Sequence, residues 1–207
     1  MDRSAIILTG GFSSRFGQDK GLLQLANKPL IMHVLDAISS IVDENIVVVS
    51  SKVQAENYAK VVGLDVKIFV DTVNTHSPLV GALTGIKEAH GDYSILLPCD
   101  TPLVSRNIIS LLFELCTDKS AVIPRWPNGY IEPLQAVYCT RHALEAARNA
   151  LSKEELNMRS MVDRLQGVRY VSTLVLQQLD PELRTFFNIN TPLDLRKAEF
   201  MLRRKGK

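Results

Sequence analysis

Cysteine is scarce in this sequence: three in 207 residues, Cys99, Cys116 and Cys139, far apart and without a C-x-x-C spacing. That argues against a disulfide framework and against a zinc site, and fits reduced thiols. Net charge is nearly absent too. The formal +2 is too small for a polyanion-binding surface, and the one basic cluster, Arg203, Arg204, Lys205 and Lys207, reads as a solvated tail, so no nucleic-acid partner is expected. Long apolar runs are missing: no stretch approaches the ~20 residues of a spanning helix, so no membrane partner is expected. The first apolar residues run into glycines without a small-residue cleavage site, and a cytoplasmic protein is the expectation. What remains, 46% hydrophobic and 22% charged, is the composition of an ordinary globular domain.

Short β-branched runs punctuate the chain: "AIIL" (5–8), "NIVVVS" (45–50), "VKIFV" (66–70), "YSILL" (93–97) and "AVIP" (121–124). Helical patterns lie between them. Pro29 precedes a stripe of Leu30, Ile31, Val34, Leu35 and Ile38; Ser77-Pro78 opens a helix bearing Leu79, Leu83 and Ile86, closed by Gly91; Ser105 begins one whose face includes Cys116. Near-continuous apolar strands alternating with helices predict an α/β fold: a single doubly wound, mostly parallel, Rossmann-like sheet with helices on both faces. After residue 130 "LQAVYC" (134–139) and "VRYVST" (168–173) read as strands, "SKEELNMRSMVDRL" (152–165) as a helix with a Ser152–Glu155 capping box, and "FFNINTPLDLRKAEFMLRR" as a strand and then a helix capped at Thr191. With no internal repeat, low-complexity tract or obvious linker, one domain over 1–207 is expected.

In such sheets ligands bind beyond the carboxyl ends of the strands, and the motifs fall there. "LTGGFSSRFGQDKG" (8–21) follows the first strand with the spacing GG-x-S-x-R-x-G-x-x-K, neither a Walker A loop nor a dinucleotide fingerprint. Gly10 and Gly11 let backbone N–H groups approach a phosphate or a base edge, while Arg15 and Lys20 add fixed positive charge, which suits a polyphosphate. "LLPCDTPLVS" projects Asp100 past the fourth strand, as a carboxylate for Mg²⁺, a hard cation that takes one or two protein carboxylates plus substrate phosphates. Asp71, ending "IFVDT", is equally able to contact a sugar hydroxyl or a base. Asn188 and Asn190 in "FNINTP" lie two apart, so on a strand both face one side, where two buried amides need partners. His33, His76, His90 and His142 join no constellation, and Cys99 reads as a small packing residue.

With "KPL", "SPLVGALTGI", "LPCDTP", "EPLQAVY" and "NINTPLDL" following the glycine loop in order, nearly the whole chain resembles the molybdenum cofactor guanylyltransferases, which attach GMP to molybdopterin. The resemblance implies that Leu8, Thr9 and Gly10 contact the guanine nucleotide, that Lys20 neutralises its phosphates, and that Asp71 helps hold it. It implies that Asp100 coordinates Mg²⁺ beside the α-phosphate of GTP, that Asn188 and Asn190 lie near the reaction site, and that Arg15 is the loop arginine. Ser50 departs from an asparagine common near the base, Phe16 from a methionine and Ser77 from a glycine; Trp126, Tyr130 and Arg159 are candidates for the pterin pocket. The resemblance implies one nucleotidyltransferase-type domain, with residues 1–125 binding the nucleotide and residues 126–207 binding the acceptor and completing the sheet; substrates would be GTP and molybdopterin, with proteins that deliver or receive the cofactor as partners. The rival readings are a molybdopterin cytidylyltransferase, a sugar-phosphate nucleotidyltransferase and a nucleotide-binding module without turnover.

Overall fold

A computed structural model describes residues 2–9, 12, 13, 16–71 and 77–204. Seven strands make one sheet: β1 (Arg3–Leu8), β2 (Glu44–Val49), β3 (Val66–Val70), β4 (Tyr93–Pro98), β5 (Ala121–Arg125), β6 (Ala136–Cys139) and β7 (Val168–Ser172). Their spatial order is β3-β2-β1-β4-β6-β5-β7. All neighbours run parallel except β6, which is antiparallel to both β4 and β5. The doubly wound, mostly parallel sheet expected from the alternating runs is therefore the one observed.

Alternation along β1 divides the core. Ala5 and Ile7 face a cluster completed by α1 (Leu30–Ile38) and α4 (Arg106–Leu115), while Ile6 and Leu8 face one completed by α3 (Pro78–Glu88) and α5 (Thr140–Leu151). Both faces are covered, which is why these strands read as unbroken apolar runs rather than alternating ones. The helix α3 sits close to the sheet because Gly85 has no side chain: a Cβ there would come within 2.2 Å of Ile6 Cγ2. Cys116 is fully buried, as its place on the α4 stripe indicated, and burial pushes its thiol up to about 12. Among the described residues no helix is long and apolar enough to cross a membrane.

Three local expectations are corrected. Ser152 does not begin a helix; it caps the end of α5, and Glu154 takes a left-handed φ of 60° that no helix interior accepts. The helix that follows, α6 (Met158–Val162), starts instead at Asn157, whose side chain accepts from Ser160 N, and Glu155 pairs with Arg164 at 2.9 Å. Gly91 does not close α3, whose C-cap is Ala89; it lies against the backbone of Ser4, to whose hydroxyl its N–H donates. Asn188 and Asn190 lie on no strand: the segment after a short 3₁₀ turn is extended but unpaired with the sheet. After a short helix α7 (Thr173–Leu176), the chain closes with α8 (Pro192–Arg204), at whose start Thr191 Oγ1 accepts from Asp194 N, the cap expected there.

Candidate active site

Chain direction switches at β1: β2 and β3 lie to one side of it and β4 to the other, and such a switch leaves a crevice beyond the carboxyl ends. A cleft of about 670 Å³ opens there, with Leu8 and Thr9 after β1, Ser50 after β2, Asp71 after β3, and Cys99 and Asp100 after β4 among its walls. The Thr9 hydroxyl is committed to β2, donating to Val48 O at 2.8 Å. Asp71 N donates to Val49 O at 2.7 Å, fixing the turn out of β3 so that the carboxylate meets the cleft. Ser50 also reaches it; its N–H donates to Gln54 Oε1 at 2.8 Å.

Lys20 is the centre of the arrangement. Its Nζ donates to Asp100 Oδ2 at 2.8 Å and to Asn190 Oδ1 at 2.6 Å, joining the glycine loop, the end of β4 and the segment before α8. An ammonium has three protons. Two are placed by these oxygens, which leaves the third for a phosphate in the cleft. Lys20 and Asp100 are each less than one-fifth exposed, so their attraction is screened less than that of a surface pair. Asn188 and Asn190 flank the buried Ile189, whose N–H donates to Asp100 O at 2.9 Å. Both amides are exposed rather than buried, so no desolvation cost attaches to them. Gly10, Gly11 and Arg15 lie outside the described residues.

The position of Lys20 is set by a network that sequence patterns did not disclose. The preceding Asp19 accepts at Oδ1 from the hydroxyl of Tyr58 at 2.5 Å and at Oδ2 from Gln54 Nε2 at 2.5 Å. Tyr58 and Gln54 belong to α2 (Lys52–Ala59), whose weak amphipathicity gave no helical signal. Burial and the neighbouring Cys99 and Asp19 push the Tyr58 phenol far above its ordinary range, so it stays protonated and keeps its proton for Asp19. Through Gln54 the same network ties the turn bearing Lys20 to Ser50 on the opposite wall.

The far wall comes from the residues before β6. Because β6 runs against its neighbours, its beginning lies at the edge where β4 ends, and Tyr130, Glu132, Pro133, Leu134 and Gln135 enter the cleft, joined by Met158 of α6. Trp126 points its indole N–H at Glu132 Oε1, 2.7 Å away, and stacks edge-on against Phe186 with ring centroids 5.7 Å apart. Tyr130 is exposed in the cleft. Arg159 is not brought there: it is exposed and faces Asp163. Glu132 and Gln135 are the wall residues that periodicity missed, although both fall within the quoted "EPLQAVY".

Among the described residues no group of three or more His, Cys, Asp or Glu is gathered to cage a metal. Asp100 offers a hard oxygen, since Oδ2 meets Lys20 while Oδ1 accepts no hydrogen bond from the described residues. One carboxylate beside a phosphate-sized opening fits Mg²⁺ held mainly by substrate phosphates.

Comparison with known proteins agrees with this geometry. A family model described as MobA-like NTP transferase domain matches residues 5–168. The probable molybdenum cofactor guanylyltransferase of Methanosarcina mazei is 34% identical over 198 residues, covering 93% of this chain and 88% of that one. The solved structure of molybdopterin-guanine dinucleotide biosynthesis protein A from Archaeoglobus fulgidus matches with a TM-score of 0.81 at 26% identity, covering 97% of this chain and 99% of its own. The 4-diphosphocytidyl-2C-methyl-D-erythritol synthase of Anaerococcus prevotii matches with a TM-score of 0.74 at 15% identity, over 98% of this chain and 96% of its own, and so shares the fold. The chain belongs to the MobA-like NTP transferase family and, within it, is a nucleotidyltransferase of the molybdenum cofactor guanylyltransferase kind.

Proposed function

We propose that this enzyme transfers GMP from GTP to molybdopterin, releasing pyrophosphate, with residues 1–125 holding the nucleotide and 126–207 the acceptor. The observation that carries it is the Lys20–Asp100–Asn190 constellation, whose Lys20 and Asp100 line a cleft of about 670 Å³ bordered by Ser50 and Asp71 and by Tyr130, Glu132 and Gln135. The terminal phosphate of molybdopterin attacks the α-phosphorus of GTP. A P–O bond forms there, the bond to the β-phosphate oxygen breaks, and pyrophosphate departs. The acceptor is already ionised at neutral pH, so the protein needs no general base; it must align the reactants and offset negative charge.

In this reading Lys20 and Arg15 neutralise the phosphates, and the backbone amides at Gly10 and Gly11 meet the phosphates or the base edge. Leu8 and Thr9 border the nucleotide. Asp71 meets its sugar or base, while Asn188 and Asn190 face the reacting groups. Asp100 would hold Mg²⁺, which supplies further charge compensation when bound. Three cysteines without a disulfide support a cytoplasmic location.

The test is pyrophosphate release with Mg²⁺, molybdopterin and each of GTP, CTP, ATP and UTP separately. Release with GTP, abolished in Asp100→Ala and weakened together with GTP affinity in Lys20→Ala while circular dichroism stays unchanged, is the expected result. Release with CTP instead moves the enzyme to cytidylyl transfer. Normal release by either variant overturns the role given to that residue.

A further inference from the structure

We infer that Glu132 is the residue that selects the acceptor, by accepting a pair of N–H donors from a 2-amino-4-oxo heterocycle, the ring of a pterin. This rests on the acceptor proposed above.

Position comes first. The site of transfer, at Lys20 and Asp100, lies over β1 and β4, and Ser50 and Asp71 border the cleft beyond β2 and β3. Glu132 precedes β6, on the other side of β4. From β2 to β6 is three strand spacings, about 14 Å at the usual inter-strand distance. A nucleotide whose phosphates reach Lys20 from the β2–β3 side leaves the Glu132 side to the group that attacks.

Chemistry comes second. The carboxylate is half-buried, and only one of its oxygens has a partner among the described residues: Oε1 takes the Trp126 N–H, and Oε2 takes nothing. Its neighbours along the wall, Pro133, Leu134 and Met158, offer apolar surface and no charge to offset it. Burial holds the carboxyl above its ordinary range, and the Trp126 bond only partly counters this. An acceptor with lone pairs to spare in an apolar wall is costly unless a ligand donates to it. A flat ring with adjacent ring and amino N–H groups supplies two parallel donors, the pattern a carboxylate accepts in pairs. Gln135, by contrast, carries no charge and has its amide nitrogen anchored to Thr185 O at 2.6 Å.

Rigidity comes third. Glu132 N donates to Pro124 O at 3.0 Å, Gln135 N to Glu132 O at 3.1 Å, and the fully buried Tyr138 donates its hydroxyl to Pro133 O at 2.6 Å. The backbone that carries Glu132 is thus held on both sides, and Trp126 fixes the carboxylate itself, as a group that orients a ligand must be.

The experiment uses the full chain and measures the affinities of molybdopterin and GTP separately by calorimetry, for the native protein and for Glu132→Gln. Loss of a charged hydrogen bond predicts a rise in the molybdopterin Kd of about 10- to 100-fold with the GTP Kd unchanged. Trp126→Phe, which frees Oε1 but keeps the carboxylate, should shift the molybdopterin Kd less and in the same direction. Pterin should compete with molybdopterin better than pteridin-4-one, which lacks the 2-amino group, in the native protein, and the difference should vanish in Glu132→Gln. A native protein that neither binds nor modifies molybdopterin overturns the proposed function and this assignment together. A native protein that does both, with an unchanged acceptor Kd in Glu132→Gln or with GTP affinity falling in parallel, overturns the assignment alone.

Discussion

Lys20 works only if its neighbour Gly21 stays a glycine. A Cβ on Gly21 would lie 2.2 Å from the hydroxyl of Tyr58 and 3.1 Å from its ring carbon Cζ, and Tyr58 is fully buried and cannot swing aside. The turn Lys20–Leu22 must therefore move instead, taking the ammonium out of reach of Asp100 and Asn190. Gly21→Ala is expected to lower kcat/KM for GTP by about 100-fold, the effect of a misplacement of roughly 1 Å, and to cost about 1–3 kcal/mol of stability by overpacking. Steady-state kinetics and thermal melts check both, and unaltered kinetics with a lowered melting temperature would show that Lys20 does not follow the turn. At this scale the charged residues of the site were legible because they sit beside glycines and at strand ends, where side chains have few other duties. Glu132 was not: a carboxylate before a proline reads as a turn, and only the reversed strand after it turns that segment into a cleft wall.

Among the elements, the edge of the sheet opposite the cleft is locked by one side chain. Glu44, at the start of β2, accepts at Oε2 from the Ser4 hydroxyl at 2.7 Å and from His90 N at 2.9 Å; at Oε1 it meets Lys67 at 2.7 Å and the His90 ring at 2.9 Å. It thereby clamps β1, β3 and the loop after α3. Burial alone would raise its carboxyl, but these bonds outweigh burial and hold it at about 2. A depressed carboxyl stabilises the fold above its unfolded value near 4.5 and stops doing so as pH falls through 2. Glu44→Gln should thus lose at most about 3 kcal/mol near pH 7, and the difference from the native protein should shrink between about pH 5 and pH 2. Urea unfolding across that range measures it; a deficit independent of pH would mean that the clamp is steric. Elements with strong periodicity, such as α1 and β1, were legible from sequence. The Ser152–Glu155 box and the asparagine segment were not. The spacing of a capping box is met equally by a helix end followed by a turn, and an extended segment without a sheet partner has the same side-chain alternation as a strand.

For the molecule as a whole, the proposed function puts donor and acceptor on opposite halves of one cleft, and the only tryptophan of the chain lies beside β6, on the half proposed for the acceptor. Trp126 is thus a built-in reporter. Its emission should change as molybdopterin saturates the protein, with the same midpoint as calorimetry, while GTP leaves it nearly unaltered; an equal response to GTP would place the nucleotide against the β6 wall and reverse the proposed assignment of halves. The fold class was legible because parallel strands covered on both faces leave a compositional trace, whereas the reversal of β6 leaves none.

That one reversed strand has a consequence for how such an enzyme changes over time. The segment between β5 and β6 reaches the reaction site without passing through the phosphate-binding turn or through β1 and β2, so its sequence can be exchanged while the chemistry beside it is left alone. On the proposed assignment of halves, the sheet is a platform on which the part that chooses the molecule to be tagged can be replaced while the tagging reaction stays constant, and a chimera carrying residues 126–135 of another member is expected to take that member's acceptor, as measured by pyrophosphate release with each acceptor in turn.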